Sequence, residues 1–187
     1  ERMIPIAQPN LDGNEKKYLE ECIETNYVSS VGPFVDRIEQ HVMDATEAAG
    51  AVATSSGTAA LHVALIAMNV SIGDLVIVPS FTFIATANAV KQCGAEPWLM
   101  DIDSDSWTLD AKILENELRQ HCKIVNDEVF HDESGRRVAG IVAVHTLGSP
   151  ADMASIMSTA NEWQLPVLAD AACAIGATYR GGNIGGC

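Results

Sequence analysis

Residues Leu165–Gly176 read L-P-V-L-A-D-A-A-C-A-I-G. Val167 and Leu168 form a short apolar run that Pro166 opens and a single acid, Asp170, closes. A run this short suits a strand buried on both faces of a parallel sheet. Such a strand delivers one carboxylate to the carboxyl end of the sheet, where open α/β folds bind ligands. Ala171, Ala172, Ala174 and Gly176 follow, small enough to let a bulky group lie against the backbone. Taken alone, the aspartate reads first as a helix N-cap. A second stretch, Ser55-Ser56-Gly57-Thr58, falls where a strand hands over to a helix. Free N–H groups and the positive dipole end gather there, hydroxyls add donors, and Gly57 permits close approach, which together make a small phosphate cradle. An ordinary Ser/Thr cap competes with that reading and, for four residues alone, outweighs it. A third strand ends near Phe81 and Phe83, each of which alone reads first as a core residue.

A phosphate site, a flat ring and a carboxylate are together what pyridoxal phosphate (PLP) needs. Its phosphate anchors at a helix N-terminus and an aromatic ring stacks on the pyridine. A carboxylate keeps the ring nitrogen protonated, so that the ring accepts electrons from a substrate carbanion. Other cofactors fit less well. No G-x-G-x-x-G follows the strand before Ser55, the nearest glycine run (Gly181–Gly186) has no helix after it, and no P-loop is present.

The elements that must position these groups follow from periodicity. Met3 to Leu11, with Pro5 and Pro9, reads as extended. Asp12 or Asn14 can cap a helix to about Thr25, with Leu19, Cys22 and Ile23 as its apolar stripe. A turn-rich loop, Asn26 to Pro33, leads into a helix whose face carries Phe34, Ile38, Val42 and Ala45. Strands are expected at Ala51–Thr54, Leu75–Pro79, Glu96–Met100, Gly140–Val144 and up to Asp170. Helices are expected after Ser56, over Ile84–Gln92 with Gly94 as stop, over Thr108–His121 and over Pro150–Trp163. A polar hairpin around Glu133-Ser134-Gly135 fills Val125–Gly140. Strand and helix thus alternate, the pattern of an α/β fold with a mostly parallel sheet and helices on both faces.

Composition narrows the function. The 187 residues make one domain or a large piece of one, and 48% hydrophobic content is ample for a core. With 25 acids against 11 bases the formal charge is −14, which argues against nucleic acid and against an anionic membrane surface as partners. No apolar run approaches the roughly 20 residues of a membrane span. The opening E-R-M-I-P has no apolar signal region. Cys22, Cys93, Cys122, Cys173 and Cys187 are scattered and suggest neither a disulfide framework nor a metal site, so a reducing cytoplasm is the expected setting.

The chain closely resembles the DegT/DnrJ/StrS family of PLP-dependent sugar aminotransferases, of the aspartate aminotransferase fold. The resemblance is carried by I-P-I-A-Q-P-N at Ile4, Y-V-S-S-V-G-P at Tyr27, S-G-T-A-A-L at Ser56 and P-S-F-T-F-I-A-T-A-N-A-V at Pro79. It continues through D-I-D at Asp101, H-T-L-G-S-P-A-D-M at His145 and D-A-A-C-A-I-G-A-T-Y at Asp170. It implies that Ser56, Gly57 and Thr58 hold the PLP phosphate, that Phe83 stacks on the ring and that Asp170 pairs with the pyridine nitrogen. Cys173 stands near the ring hydroxyl, where the family usually has Gln or His. The loop with Tyr27, Ser29, Ser30 and Gly32 resembles one near the sugar. Family members move an amino group, usually from glutamate, to a keto-sugar nucleotide, and most are homodimers with the active site at the subunit boundary.

One departure is large. The family's Schiff-base lysine lies after the G-x-Y-x-G-x-x-x-G run, within which the chain reaches Cys187, and none of Lys16, Lys17, Lys91, Lys112 and Lys123 matches its motif. Residues 1–187 are therefore expected to be the N-terminal arm plus an incomplete large PLP-binding domain, without the small C-terminal domain. The resemblance puts the Ala51–Thr54 strand at a sheet edge, beside a strand beyond Cys187, and orders the next four strands 3-2-4-5. Alternatives are a non-catalytic binding module and a lysine-free PLP dehydratase, and the sequence beyond Cys187 separates the three readings: a Lys there favours the aminotransferase, a His the dehydratase and a stop codon the binding module.

Overall fold

The structure is a computed structural model that describes residues 8–185. Residues 4–7 of the Ile4 motif, Pro5 among them, and Cys187 lie outside the described residues.

Two helices, α1 (Glu15–Glu24) and α2 (Pro33–Thr46), precede the alternating part of the chain. There follow α3 (Gly57–Ala67), β1 (Leu75–Pro79), α4 (Ile84–Gln92), β2 (Glu96–Met100) and α5 (Ala111–His121). A hairpin of β3 (Cys122–Val125) and β4 (Glu128–His131) leads into β5 (Arg137–Val144), α6 (Met153–Glu162) and β6 (Val167–Asp170). A short ribbon, β7 (Thr178–Tyr179) with β8 (Gly182–Asn183), ends the described chain.

The parallel core runs β2-β1-β5-β6, which is the order 3-2-4-5 expected for the Glu96, Leu75, Gly140 and Val167 strands. β5 is long enough to serve two partners on one edge. Val138 pairs with Leu75 on one side and Val129 on the other, while Ile141 pairs with Ile77 and Val167. Antiparallel β4 therefore covers the start of that edge and parallel β6 its end.

A bulge sets which β5 side chains face which layer. Leu75 pairs with Val138 but Val76 with Gly140, so Ala139 is an extra residue on β5. Without it, alternation would turn Ile141 the wrong way. With it, Ile77, Ile141 and Ala143 join Leu114, Leu118 and Ile156 beneath α5 and α6. Val76, Val78, Val142 and Val144 join Leu65, Ala89 and Val90 beneath α3 and α4. The core is thus two apolar layers with the sheet between them. Gly140 is required by close packing, because a Cβ there would meet Met68 Cε at 2.7 Å and the Pro166 carbonyl oxygen at 3.1 Å. One ion pair pins the start of the sheet: Arg137 donates Nε to Asp74 Oδ1 (3.1 Å) and Nη2 to Asp74 Oδ2 (2.6 Å) and the Asn69 carbonyl (2.7 Å).

Four expectations change. Ala51–Thr54 forms no strand, and Val52 is 83% exposed. A strand needs a neighbour to take its N–H and C=O groups, and here Ala53 N–H turns to Glu39 Oε1 instead (2.8 Å). The polar hairpin is two connected turns and an added strand, with Asn126 and Asp127 both at positive φ in the tight β3–β4 turn. On α1, Leu19 and Ile23 face solvent, 65% and 68% exposed. Tyr18 makes the contact instead, its ring 5.3 Å from that of Phe34 with Arg37 over both. Finally, α5 and α6 start later than expected, where Asp110 and Asp152 accept N–H bonds from the first turns.

Candidate active site

The carboxyl ends of β1, β5 and β6 and the N-terminus of α3 open into one cleft of about 600 Å³. It is lined by Gly57, Thr58 and Leu61 of α3, by Phe81, Thr82 and Phe83 after β1, by His145, Thr146 and Leu147 after β5, and by Asp170, Ala172 and Cys173 after β6. Gly57, Thr58, Phe83, Asp170 and Cys173, separated by up to 116 positions, thus share one lining, as their chemistry requires.

At the α3 terminus, Ser56 is the N-cap. Its Oγ accepts from Ala59 N–H (3.2 Å) and its carbonyl from Ala60 N–H (3.0 Å). Ser56 therefore organises the cradle and does not line the cleft. The N–H groups of Gly57 and Thr58 have no helix carbonyl to bond and carry the positive end of the helix dipole. A Cβ on Gly57 would meet nothing within 4 Å, so the backbone lies open to an incoming group.

Asp170 is not a helix cap, since no helix follows it. Its Oδ1 accepts from Ala172 N–H (3.2 Å), its Oδ2 accepts from Thr86 Oγ1–H (3.1 Å), and its backbone carbonyl accepts from His145 N–H (3.0 Å). Both carboxylate oxygens thus keep lone pairs for a ligand. Phe83 stands at the mouth, 79% exposed, and Phe81 packs edge-on against Trp107 with centroids 5.4 Å apart. Cys173 is exposed, and its carbonyl lies where a Cβ at position 148 would sit (2.8 Å), so Gly148 lets the His145 turn close against this segment. That turn also holds Leu147 at φ 54.

His145 is buried, and burial holds its pKa below the usual imidazole value although the charge on Asp170 pulls the other way. Its Nδ1 accepts from Ala151 N–H (3.0 Å), which fixes the neutral ring with its proton on Nε2. Among the described residues that line the cleft, Asp170 is the one acidic or basic side chain other than His145. A second groove of about 550 Å³ between α5 and α6 carries Asp103, Asp110, Glu115, Asp152 and Glu162 against one lysine, Lys112. That charge repels a phosphate, so the β-end cleft is the candidate site. Among the described residues no cluster of three or more His, Cys, Asp or Glu could hold a metal.

Tyr27, Ser29, Ser30 and Gly32 do not line the cleft. They form the loop before α2, where the Tyr27 ring folds over Gly32 and Ser29 Oγ accepts from Val31 N–H (3.4 Å). None of the five lysines lines the cleft either, and Lys16, Lys91 and Lys123 are paired with Glu20, Glu96 and Asp132. Sequence reasoning missed Thr82, Thr86 and His145. Thr82 and Thr86 are four apart, one helical turn, and that spacing marks a shared face.

A phosphate cradle, an aromatic and a buried-edge carboxylate at the ends of a parallel sheet define a PLP-enzyme type of site, and comparison with solved structures agrees. The chain superposes with a TM-score of 0.81 on 3-amino-5-hydroxybenzoic acid synthase at 30% identity, covering 96% of this chain and 43% of that one. It superposes equally well, at 31% identity, on an aminotransferase from Psychrobacter cryohalolentis, covering 97% and 42%. The architecture is therefore that of the aspartate aminotransferase fold.

The chain belongs to the DegT/DnrJ/EryC1/StrS aminotransferase family, whose model matches residues 9–187. It is 42% identical to the GDP-perosamine synthase of Caulobacter vibrioides and 35% identical to that of Escherichia coli O157:H7. Each match covers 98% of this chain and 46% of the relative, so the chain spans about half the length of the curated relatives it matches.

Proposed function

We propose that this chain forms the cofactor cleft of a PLP-dependent sugar aminotransferase that moves an amino group from an amino acid, glutamate by preference, to a keto-sugar nucleotide. The observation that carries the reading is the meeting of the α3 N-terminus, Phe83 and Asp170 in one cleft. Similarity to synthases named for a GDP-linked amino sugar supports the substrate class.

The residues present fit PLP. Bound there, PLP supplies an electron sink for the substrate carbanion. Gly57 and Thr58 would hold the phosphate by N–H donation at the positive end of α3. Asp170 would accept a hydrogen bond from the N–H of the protonated ring nitrogen and so keep that nitrogen charged. Phe83 would cover one ring face and exclude water from it. Cys173 would lie by the ring hydroxyl, a weaker polar partner than Gln or His. Tyr27, Ser29, Ser30 and Gly32 would meet the sugar side in a homodimer whose active site lies at the subunit boundary. The setting is the cytoplasm and the product a precursor of a surface polysaccharide or lipopolysaccharide.

The test is a titration of the 187-residue chain with PLP, followed by borohydride reduction and intact-mass measurement. Saturable binding that Asp170→Asn weakens, with no stoichiometric adduct on a single lysine, is expected. Absence of binding, or a stable adduct on one of the five lysines, overturns the assignment of this cleft.

A further inference from the structure

Asp170 has to present its carboxylate edge to a ring nitrogen at a set angle, and a carboxylate's terminal torsion is soft by itself. One backbone N–H and two side-chain hydroxyls remove that freedom. Ala172 N–H bonds Oδ1 at 3.2 Å and Thr86 Oγ1–H bonds Oδ2 at 3.1 Å, which fixes the carboxylate plane from both ends. Thr86 lies inside α4, 1% exposed and 84 positions away in sequence. Its oxygen is 3.0 Å from Thr82 Oγ1. Thr86 has a single hydroxyl proton, and an ionised carboxylate can only accept. The proton on Thr86 is therefore committed to Asp170, and Thr82 must be the donor to Thr86. The result is a one-way chain, Thr82 to Thr86 to Asp170, in which each bond polarises the next. Thr82 is in the cleft lining and Thr86 is not, so the hydroxyl that bonds Asp170 comes from outside the lining.

We infer that Thr86, with Thr82 behind it, is a positioning residue that orients Asp170 toward the ring nitrogen of the bound cofactor. This rests on the functional reading above. Thr86 does not line the cleft and would act only through Asp170, which separates it from the phosphate cradle at Gly57 and Thr58.

The probe is pyridoxine 5′-phosphate, which keeps the phosphate and the pyridine nitrogen but has no aldehyde to react with lysines. Its dissociation constant is measured by fluorescence on the 187-residue chain and its variants, each with a melting curve. Thr86→Val keeps the shape and removes the hydroxyl, and is expected to weaken binding about three- to tenfold, the range for the net loss of one ordinary hydrogen bond, since Thr86 acts on the ligand only through Asp170. Thr86→Ser is expected to restore binding to within about twofold, consistent with retaining the one hydroxyl that the chain uses. In the Asp170→Asn background Thr86→Val is expected to cost nothing further, since coupled residues are not additive. Inorganic phosphate, which occupies the cradle alone, should compete equally well in the unsubstituted chain and in Thr86→Val. The inference is overturned if Thr86→Val binds as tightly as the unsubstituted chain. It is overturned equally if Thr86→Ser is as weak as Thr86→Val, if the loss persists in Asp170→Asn, or if phosphate weakens in parallel. Failure of the unsubstituted chain to bind overturns the functional reading, and this inference with it.

Discussion

His145 and the cysteines are where single residues make their own demands. Burial favours neutral His145 in the folded chain, while the unfolded chain takes up a proton near the ordinary value of 6.5. The folded pKa is the lower one, so the unfolded state binds more protons as pH falls below that value. Stability from this residue is complete above pH 6.5 and is lost as pH drops through the folded pKa. Urea midpoints between pH 7.5 and 5.5 are expected to fall for the native chain. They should fall less for His145→Asn, whose amide oxygen can still accept from Ala151 N–H; equal slopes would remove His145 as the cause. Among the thiols, burial pushes Cys122 up to about 11, whereas Cys173 is exposed on the cleft. Thiolate is the reactive form. Iodoacetamide at pH 8 is expected to label Cys173 early and Cys122 only on unfolding. Pyridoxine 5′-phosphate should slow labelling at Cys173, and unchanged labelling under saturation would place the ligand elsewhere.

Between residues and fold stand the joints of the sheet. The Arg137–Asp74 pair joins the turn before β1 to the start of β5, and the Asp74 side chain is only 9% exposed. Arg137 also reaches Glu128 on β4 (3.3 Å), so one guanidinium holds three neighbouring segments in register. Asp74 and Glu128 hold its pKa above the ordinary arginine value, the side-chain bonds to Asp74 being the largest cause. Arg137→Met leaves Asp74 buried without its partner and is expected to cost about 2–3 kcal/mol, less than a fully buried pair because the arginine is partly exposed. Arg137→Met with Asp74→Asn should recover part of that loss, as read from denaturant midpoints. Asp110 is a second joint: it caps α5 by accepting from Lys112 N–H (2.8 Å) and Ile113 N–H (3.2 Å). Asp110→Ala is expected to cost about 1 kcal/mol. It should leave cofactor binding unchanged, because α5 lies on the sheet face away from α3.

Over the whole molecule, exposed surface decides behaviour. The chain has 11828 Å² accessible for a mass of 19.9 kDa. A compact monomer of that mass exposes about 8,700 Å². The excess, roughly 3,000 Å² on one chain, exceeds one partner's share of most obligate interfaces, which bury about 2,000–5,000 Å² over both partners. Val28, Val52, Phe83 and Leu147, each at least 78% exposed, contribute to it. The outer edges of β2 and β6 are also unpaired among the described residues. Self-association and marginal stability are expected, visible as an apparent mass that rises with concentration in sedimentation equilibrium. A strictly monomeric, cooperative and highly stable chain would contradict this. No helix among the described residues is long and apolar enough to cross a membrane.

The sequence by itself determined what depends on near neighbours. The α4 helix, Ile84–Gln92, and the β1 and β2 strands fall where periodicity places them, because apolar spacing and a glycine stop are local signals. Asp170 at a strand end and Gly57 at a helix start were legible for the same reason. Only the tertiary structure decided what depends on distant partners. Ala51–Thr54 has the composition of a strand and is none, since backbone pairing needs a neighbour that periodicity does not supply. The stripe of Leu19, Cys22 and Ile23 has helical spacing, yet Tyr18 turns toward α2, because a helix period does not say which face finds a partner. The bulge at Ala139 reverses the alternation along β5, and it exists only in the register with β1. Thr86 reads as an ordinary helix residue until β6 brings Asp170 against it, 84 positions later, and makes its hydroxyl part of the site.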